Sequence, residues 1–252
     1  MFDPNSAMRR VSDEGVILLG GGRALLLQLA HPLVARGVAE HSSFEHDRIG
    51  RLLRTLRPTY AMVFGTPEQA RAAAEGVRRR HARVTGDGYR ALDPELLLWV
   101  YATLVDTALL MYDRFVEPLD PATAEAYYRD SWTLAGMWGV PAAALPPDLE
   151  AFRAYFDEMV ATIEVTDEAR RLAAQLFALD SPLAPALWLS RELTAGLLPP
   201  SLRRAYGLAW DPPRAALLSA AEHGSRLLLP LLPPALRAPP WFIMPPRVEG
   251  AG

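Results

Sequence analysis

Three of the five histidines, His31, His41 and His46, fall within sixteen residues and lead directly into a cationic stretch carrying Arg51, Arg54 and Thr55. Imidazoles can hold a metal or move a proton near neutral pH, and arginines beside them can steady a developing anion. Hydrophobic patterning alone does not require such a cluster. The run GGGRALLLQLAHPLVARGVAEHS opens with a glycine triplet and continues as an apolar helix whose polar exceptions are Arg23, Gln28 and His31. Pro32 then removes a backbone donor and biases the residue before it away from helical geometry, so a kink is expected at His31–Pro32. A kinked apolar helix with a histidine at its break can wall a cofactor pocket; a histidine at a break can equally serve as a cap. His41 and Glu45 stand at i,i+4, but two ligands do not make a metal site, and a solvated pair is the favoured reading. No histidine has a glutamate three residues before it, which argues against the paired Glu-x-x-His motif of helical di-iron proteins.

The second chemical feature is the segment DPELLLWVYATLVDTALLMYDRF. A helix that is apolar all round is a buried helix, so the Tyr101 hydroxyl and the Asp106 carboxylate both need partners inside the protein. Five positions apart, they are offset by about 140° on a helical wheel. Two readings stay open. In one, Asp106 pairs with a buried arginine such as Arg23 or Arg54 and Tyr101 bonds a carbonyl; in the other, both face a cofactor.

Composition removes whole classes of function. The 252 residues contain neither cysteine nor lysine. That excludes disulfides, thiolate-held zinc, iron–sulfur clusters and thiolate-ligated haem, as well as Schiff-base and P-loop lysine chemistry. The net charge is only −3 with no separate basic stripe, so nucleic acid is not an expected partner. Neither a nucleophile elbow nor a dinucleotide-binding glycine motif is present. The N-terminus lacks the order of a signal peptide, which makes the cytoplasm the expected location. Leu96 to Tyr112 is the longest apolar stretch, but Asp106 interrupts it and favours a buried helix over a membrane span. The tail from Leu227 to Pro246 is apolar and proline-rich; packing over the body is expected, with peripheral membrane contact the less favoured role.

Helical periodicity runs through nearly the whole chain. Asp47 to Phe64 carries apolar residues at helical spacing. Thr66-Pro67-Glu68-Gln69 is a helix start with a capping residue, a proline at the first position and a carboxamide three residues on. That helix should run to about Val84. Asp93-Pro94 opens the central helix, which should end near Pro118, and further helices are expected at about 121–138, 148–163, 166–179, 186–197 and 213–228. Almost nothing alternates with period two. The reading is an all-α, single-domain bundle of eight to ten helices over residues 1–252, enclosing a cofactor pocket.

The order of these segments resembles the family of the rubber oxygenases (latex-clearing proteins) and the mycophenolate-pathway oxygenase, which are helical b-type haem proteins. The resemblance is carried by LLLQLAHPLVARGVAEHSSFEHD, RLLRTLRPTYAMVFGT, VRRRHARVTG and DPELLLWVYATLVD, and continues through FVEPLDPATAEAYYRDSW to MWGVP. It is strongest over residues 14–165 and weaker through the helical, proline-rich remainder. It implies haem b between helices. The distal Arg-x-x-Lys-Thr motif of the rubber oxygenases is matched by Arg51-Leu52-Leu53-Arg54-Thr55, with Arg54 where lysine stands. The family's proximal histidine aligns with Tyr101. Tyrosinate holds ferric iron and disfavours the ferrous state that binds O2. Three outcomes are therefore open: Tyr101 ligates iron, His81 or His31 has taken over, or haem is lost and the fold kept. The expected site thus comprises Arg51, Arg54 and Thr55 near oxygen, His31, Arg23 and Asp106 around the cofactor, and Tyr101 or His81 on iron. The expected function is a haem-dependent oxygenase acting with O2 on an apolar, isoprenoid-type or unsaturated small molecule. The alternative is a non-catalytic helical protein that binds haem or a hydrophobic ligand. Oligomeric state is not legible.

Overall fold

The computed structural model describes residues 2–41, 48–178 and 184–246, without the side chains of 48, 49, 51 and 52. The fold is all-α. Helix α1 (Ala7–Ser12) leads through a 3-10 turn at Gly15–Gly20 into α2 (Gly21–Ala30) and α3 (Pro32–His41). Helices α4 (Arg48–Phe64) and α5 (Pro67–His81) form a helical hairpin. A two-residue-strand hairpin, β1 (Thr85–Gly86) and β2 (Tyr89–Arg90), then precedes the long helix α6 (Pro94–Phe115). Next come α7 (Pro121–Trp138), α8 (Leu149–Thr162), α9 (Asp167–Leu176), α10 (Ala184–Leu197), α11 (Pro200–Ala205), α12 (Pro212–Leu228) and α13 (Pro234–Arg237). Among the described residues the helices number more than the eight to ten expected. The additional ones are α1, α11 and α13, pieces of four to six residues too short to show a period.

Helix starts follow capping chemistry. Thr66 accepts from the Gln69 amide and the Gln69 side chain accepts from the Thr66 amide, a complete capping box with Pro67 in the first turn. Asp120, Asp148, Thr166 and Asp211 cap α7, α8, α9 and α12 in the same manner. Between α2 and α3 the chain bends by 106°. His31 sits at that bend with extended backbone angles, and its Nδ1 accepts the Leu33 amide at 3.2 Å. With Pro32 opening α3, His31 is the cap of that helix.

Helix α6 is the axis of the core. It buries residues on every side, including Trp99, Tyr101, Ala102 and Met111, and packs against α1, α2, α7, α8 and α12. By length and hydropathy it could cross a bilayer, but 67% of its most apolar window is buried inside the protein, as a core helix requires. Its polar atoms find partners on its own and neighbouring helices: the Trp99 indole donates to the Leu27 carbonyl of α2 at 3.1 Å, and Thr103 donates to the Val100 carbonyl at 2.7 Å. The C-terminal tail only partly packs as expected. Its backbone is strapped to the body, where Ile243 and Pro239 are buried, but most of its leucines point outward.

Candidate functional site

Helices α4 and α5 are joined only by Gly65 and Thr66 and pack along their length, so they run antiparallel. The first turns of α4, with Arg54 and Thr55, therefore share an end of the hairpin with His81 at the last turn of α5. Both Arg54 and Thr55 are exposed. The Arg51 side chain, His46 and Glu45 lie outside the described residues.

His81 borders a cavity of about 350 Å³ lined by Ala82, Thr85, Arg90, Leu92, Asp93 and Pro94. Its Nδ1 is buried and has no hydrogen-bond partner among the described residues. Burial, helped by the neighbouring Arg80 charge, holds its pKa below the ordinary histidine value. The ring is thus neutral at physiological pH and keeps an available lone pair. The cavity reaches the first residues of α6, and His31 lies around the same helix start, where Glu95 partly offsets the burial that lowers the His31 pKa. His41 is exposed and contacts the Thr85 carbonyl through Nε2 at 3.0 Å.

A second polar cluster is buried between α2, α6 and α10. Arg23, 4% exposed, donates to Asp106 Oδ2 at 2.6 Å, to Thr107 Oγ1 at 2.7 Å and to the Leu197 carbonyl at 2.8 Å. Of the two arginines expected for Asp106, the structure provides Arg23. Desolvation of the pair lowers the Arg23 pKa and raises that of Asp106, while their mutual attraction opposes both shifts. Each of the three bonds satisfies a guanidinium edge, which is what a buried charge requires. The cluster locks α2, α6 and the end of α10 together.

Tyr101 lies elsewhere in the core. It is 0% exposed, so no water-sized void touches it, and its hydroxyl is 2.6 Å from Ser131 Oγ. Ser131 donates its single proton to the Tyr128 carbonyl at 2.6 Å. The phenol must therefore be the donor to Ser131. Burial pushes its pKa up, partly countered by the Ser131 bond. Tyr101 is a neutral donor with its oxygen committed.

These observations test the fit of a haem. Iron asks for an axial donor with a free lone pair and room beside it. Tyr101 does not fit as it stands: its hydroxyl is committed to Ser131. His81 offers an uncommitted donor: its Nδ1, itself covered, has no hydrogen-bond partner among the described residues, and the residue borders a cavity. Among the described residues no three His, Asp or Glu side chains converge on a bare metal ion; haem brings its own ring nitrogens and needs only such a single protein donor.

The structure brings His81 to the Arg54 and Thr55 end of the hairpin and joins Arg23 to Asp106, but it keeps Tyr101 apart from both groups. Sequence reading missed Ser131, Thr107 and the cavity-lining Thr85, Arg90 and Leu92. The first two are far in sequence from the residues they serve, and no local pattern marks them. Asp93-Pro94 carried a signal, but only as a helix start.

Residues 8–227 match the family described as ER-bound oxygenase mpaB/B'/rubber oxygenase, catalytic domain. Two similar chains are the uncharacterized protein Rv2237 of Mycobacterium tuberculosis and the uncharacterized protein Mb2261 of Mycobacterium bovis. Each is 30% identical over 221 residues, covering 81% of this chain and 87% of the relative. No solved structure matches.

Proposed function

The chain belongs to the mpaB/B'/rubber oxygenase catalytic-domain family, and on that premise we propose that it is a haem b-dependent oxygenase acting with O2 on an apolar, unsaturated small molecule, with His81 as the iron-holding residue. The observation that carries the choice of residue is the Nδ1 of His81, unpartnered among the described residues, in a side chain that borders the cavity. Haem, when bound, supplies the redox chemistry that activates O2. The neutral His81 ring offers the donor. Arg54 and Thr55 bring a cationic and a hydroxyl side chain to the same end of the hairpin, where they would stabilise negative charge developing on oxygen; Arg51, the third residue of that motif, has its side chain outside the described residues. Ala82, Leu92 and Pro94 supply the apolar lining that admits an apolar substrate and limits water.

A second reading is a non-catalytic helical protein that binds an apolar ligand, favoured by the closed Tyr101–Ser131 contact at the position where the resemblance expects an iron ligand. Expression with added haem precursor, followed by pyridine haemochrome analysis and an absorption spectrum, separates the two. The expected result is bound haem with an imidazole-type Soret band that survives Tyr101→Phe and is lost in His81→Ala. No haem in the unaltered protein transfers the assignment to the binding protein. A phenolate band that disappears in Tyr101→Phe returns the ligand role to Tyr101.

A further inference from the structure

From Arg226 to Pro246 the sequence contains no Asp, Glu, Ser, Thr, Asn, Gln or His; its only polar side chains are Arg226, Arg237 and the Trp241 indole. Such a stretch normally packs inward. Here its backbone is held down while its side chains face out. The Arg57 Nε donates to the Phe242 carbonyl at 3.0 Å and the Gln69 Nε2 donates to the Pro246 carbonyl at 3.0 Å. Arg237 pairs with Glu14, and a side chain on Gly15 would run into the Arg237 carbonyl, so the end of α13 lies directly on the 3-10 turn at Gly15–Gly20. The tail is thus anchored at three places along the body. Yet Trp241 is 85% exposed, Leu231 77%, Leu227 73% and Leu236 70%.

Every strongly exposed large apolar side chain among the described residues lies on this tail, on the adjoining α12, on α10 or on the 3-10 turn beneath it. These elements adjoin one another: α10 touches both the 3-10 turn and α12, and α12 runs into the 3-10 turn Leu229–Leu231. Among the described residues the exposed large apolar side chains are therefore concentrated on adjoining elements, well beyond isolated surface leucines. Prolines at 230, 233, 234, 239 and 240 break the stretch into short turns and keep it from retreating into a buried helix.

We propose that the segment from Leu227 to Phe242 docks the protein on a bilayer surface bearing anionic headgroups, with its leucines and Trp241 seated in the interfacial layer. A protein partner is the less suitable occupant, because protein interfaces carry a polar rim and roughly one hydrogen bond per 100–200 Å², and this segment has almost no side chain to supply them. A lipid interface asks instead for apolar bulk, an amphipathic indole and cations without carboxylates. The segment has the apolar bulk, the indole and no carboxylate of its own; Arg237 is paired with Glu14, so the cationic edge is supplied by the exposed Arg57 beside Phe242. The family match ends at residue 227, where this segment begins, so the docking surface is a property of this chain beyond the matched domain.

The test is flotation of the full-length protein with vesicles of phosphatidylcholine alone and of equal parts phosphatidylcholine and phosphatidylglycerol. The expected result is flotation with the anionic vesicles, weakened by salt and by omission of phosphatidylglycerol. Leu231→Glu/Trp241→Glu should lower the apparent affinity by about tenfold or more, the factor that corresponds to 1.4 kcal/mol, with an unchanged circular dichroism spectrum. Trp241→Ser alone, at a side chain that supports no core contact, gives a smaller loss in the same direction if the double variant misfolds. Absence of flotation with either vesicle, or flotation untouched by both variants, overturns the proposal. A non-floating protein that forms a dimer dissociated by Leu231→Glu overturns it too, and assigns the face to a second copy.

Discussion

At the scale of single residues, function and stability meet in the protonation of buried groups. The His31 Nδ1 accepts the Leu33 amide and caps α3, a role available only to the ring with that nitrogen unprotonated. Burial holds its pKa below the ordinary 6.5, with Glu95 partly offsetting the effect. As pH falls, the unfolded chain therefore takes up this proton before the folded one does. The stabilisation contributed by His31 is complete above about pH 6.5, and it is lost progressively as pH falls below that value toward the folded pKa. Asparagine retains an acceptor for the same amide but does not titrate. We expect His31→Asn to match the unaltered protein in thermal midpoint at pH 7.5 and to lose less stability on going to pH 5.5. Parallel pH profiles for the two proteins would show that His31 does not carry this dependence. Tyr101 makes the complementary point, since its role follows from a proton count: Ser131 has one proton, Tyr128 receives it, and the phenol must donate.

At the scale of elements, the contact between α2 and α10 depends on the absence of one side chain. A Cβ at Gly22 would fall on Thr194 Oγ1, while the next atoms, Ser190 Oγ and Thr194 Cβ, stand at 3.5 Å. Thr194 is fully buried and β-branched, so it cannot swing clear, and its hydroxyl has no hydrogen-bond partner among the described residues. Replacing a helical glycine by alanine gains about 1 kcal/mol of propensity, but overpacking costs about 1–3 kcal/mol. Gly22→Ala should therefore destabilise the protein. In a Thr194→Ala background the obstructing oxygen is gone and only the propensity gain remains, so the same change should become neutral or stabilising by up to about 1 kcal/mol. Urea denaturation of the four proteins in this cycle reads the sign directly. Equal effects of Gly22→Ala in both backgrounds would refute the close-approach account.

At the scale of the whole molecule, α6 contacts elements from α1 to α12, and the Arg23 cluster ties α2, α6 and α10 into one unit. We expect a single cooperative unfolding transition, with far-ultraviolet circular dichroism and tryptophan fluorescence superimposing. Two separated transitions would show that the C-terminal helices form an independent domain. The sequence alone determined the all-α class and most helix limits. Period 3.6, Asp, Thr and Pro at helix starts and the Pro32 break are local signals, and local backbone chemistry reads them the same way wherever the segment sits. It also determined that Asp106 must find a partner inside the protein, because a carboxylate on an all-round apolar helix is costly to bury unsatisfied. Which arginine answered was a tertiary decision: Arg23 is 83 residues away in sequence and arrives only when α2 lies along α6. The same holds for Ser131 beneath Tyr101, for the cavity at His81, and for the outward-facing leucines of the tail. Hydrophobicity states that a residue prefers burial; only the packing of distant elements decides whether a buried position remains to receive it.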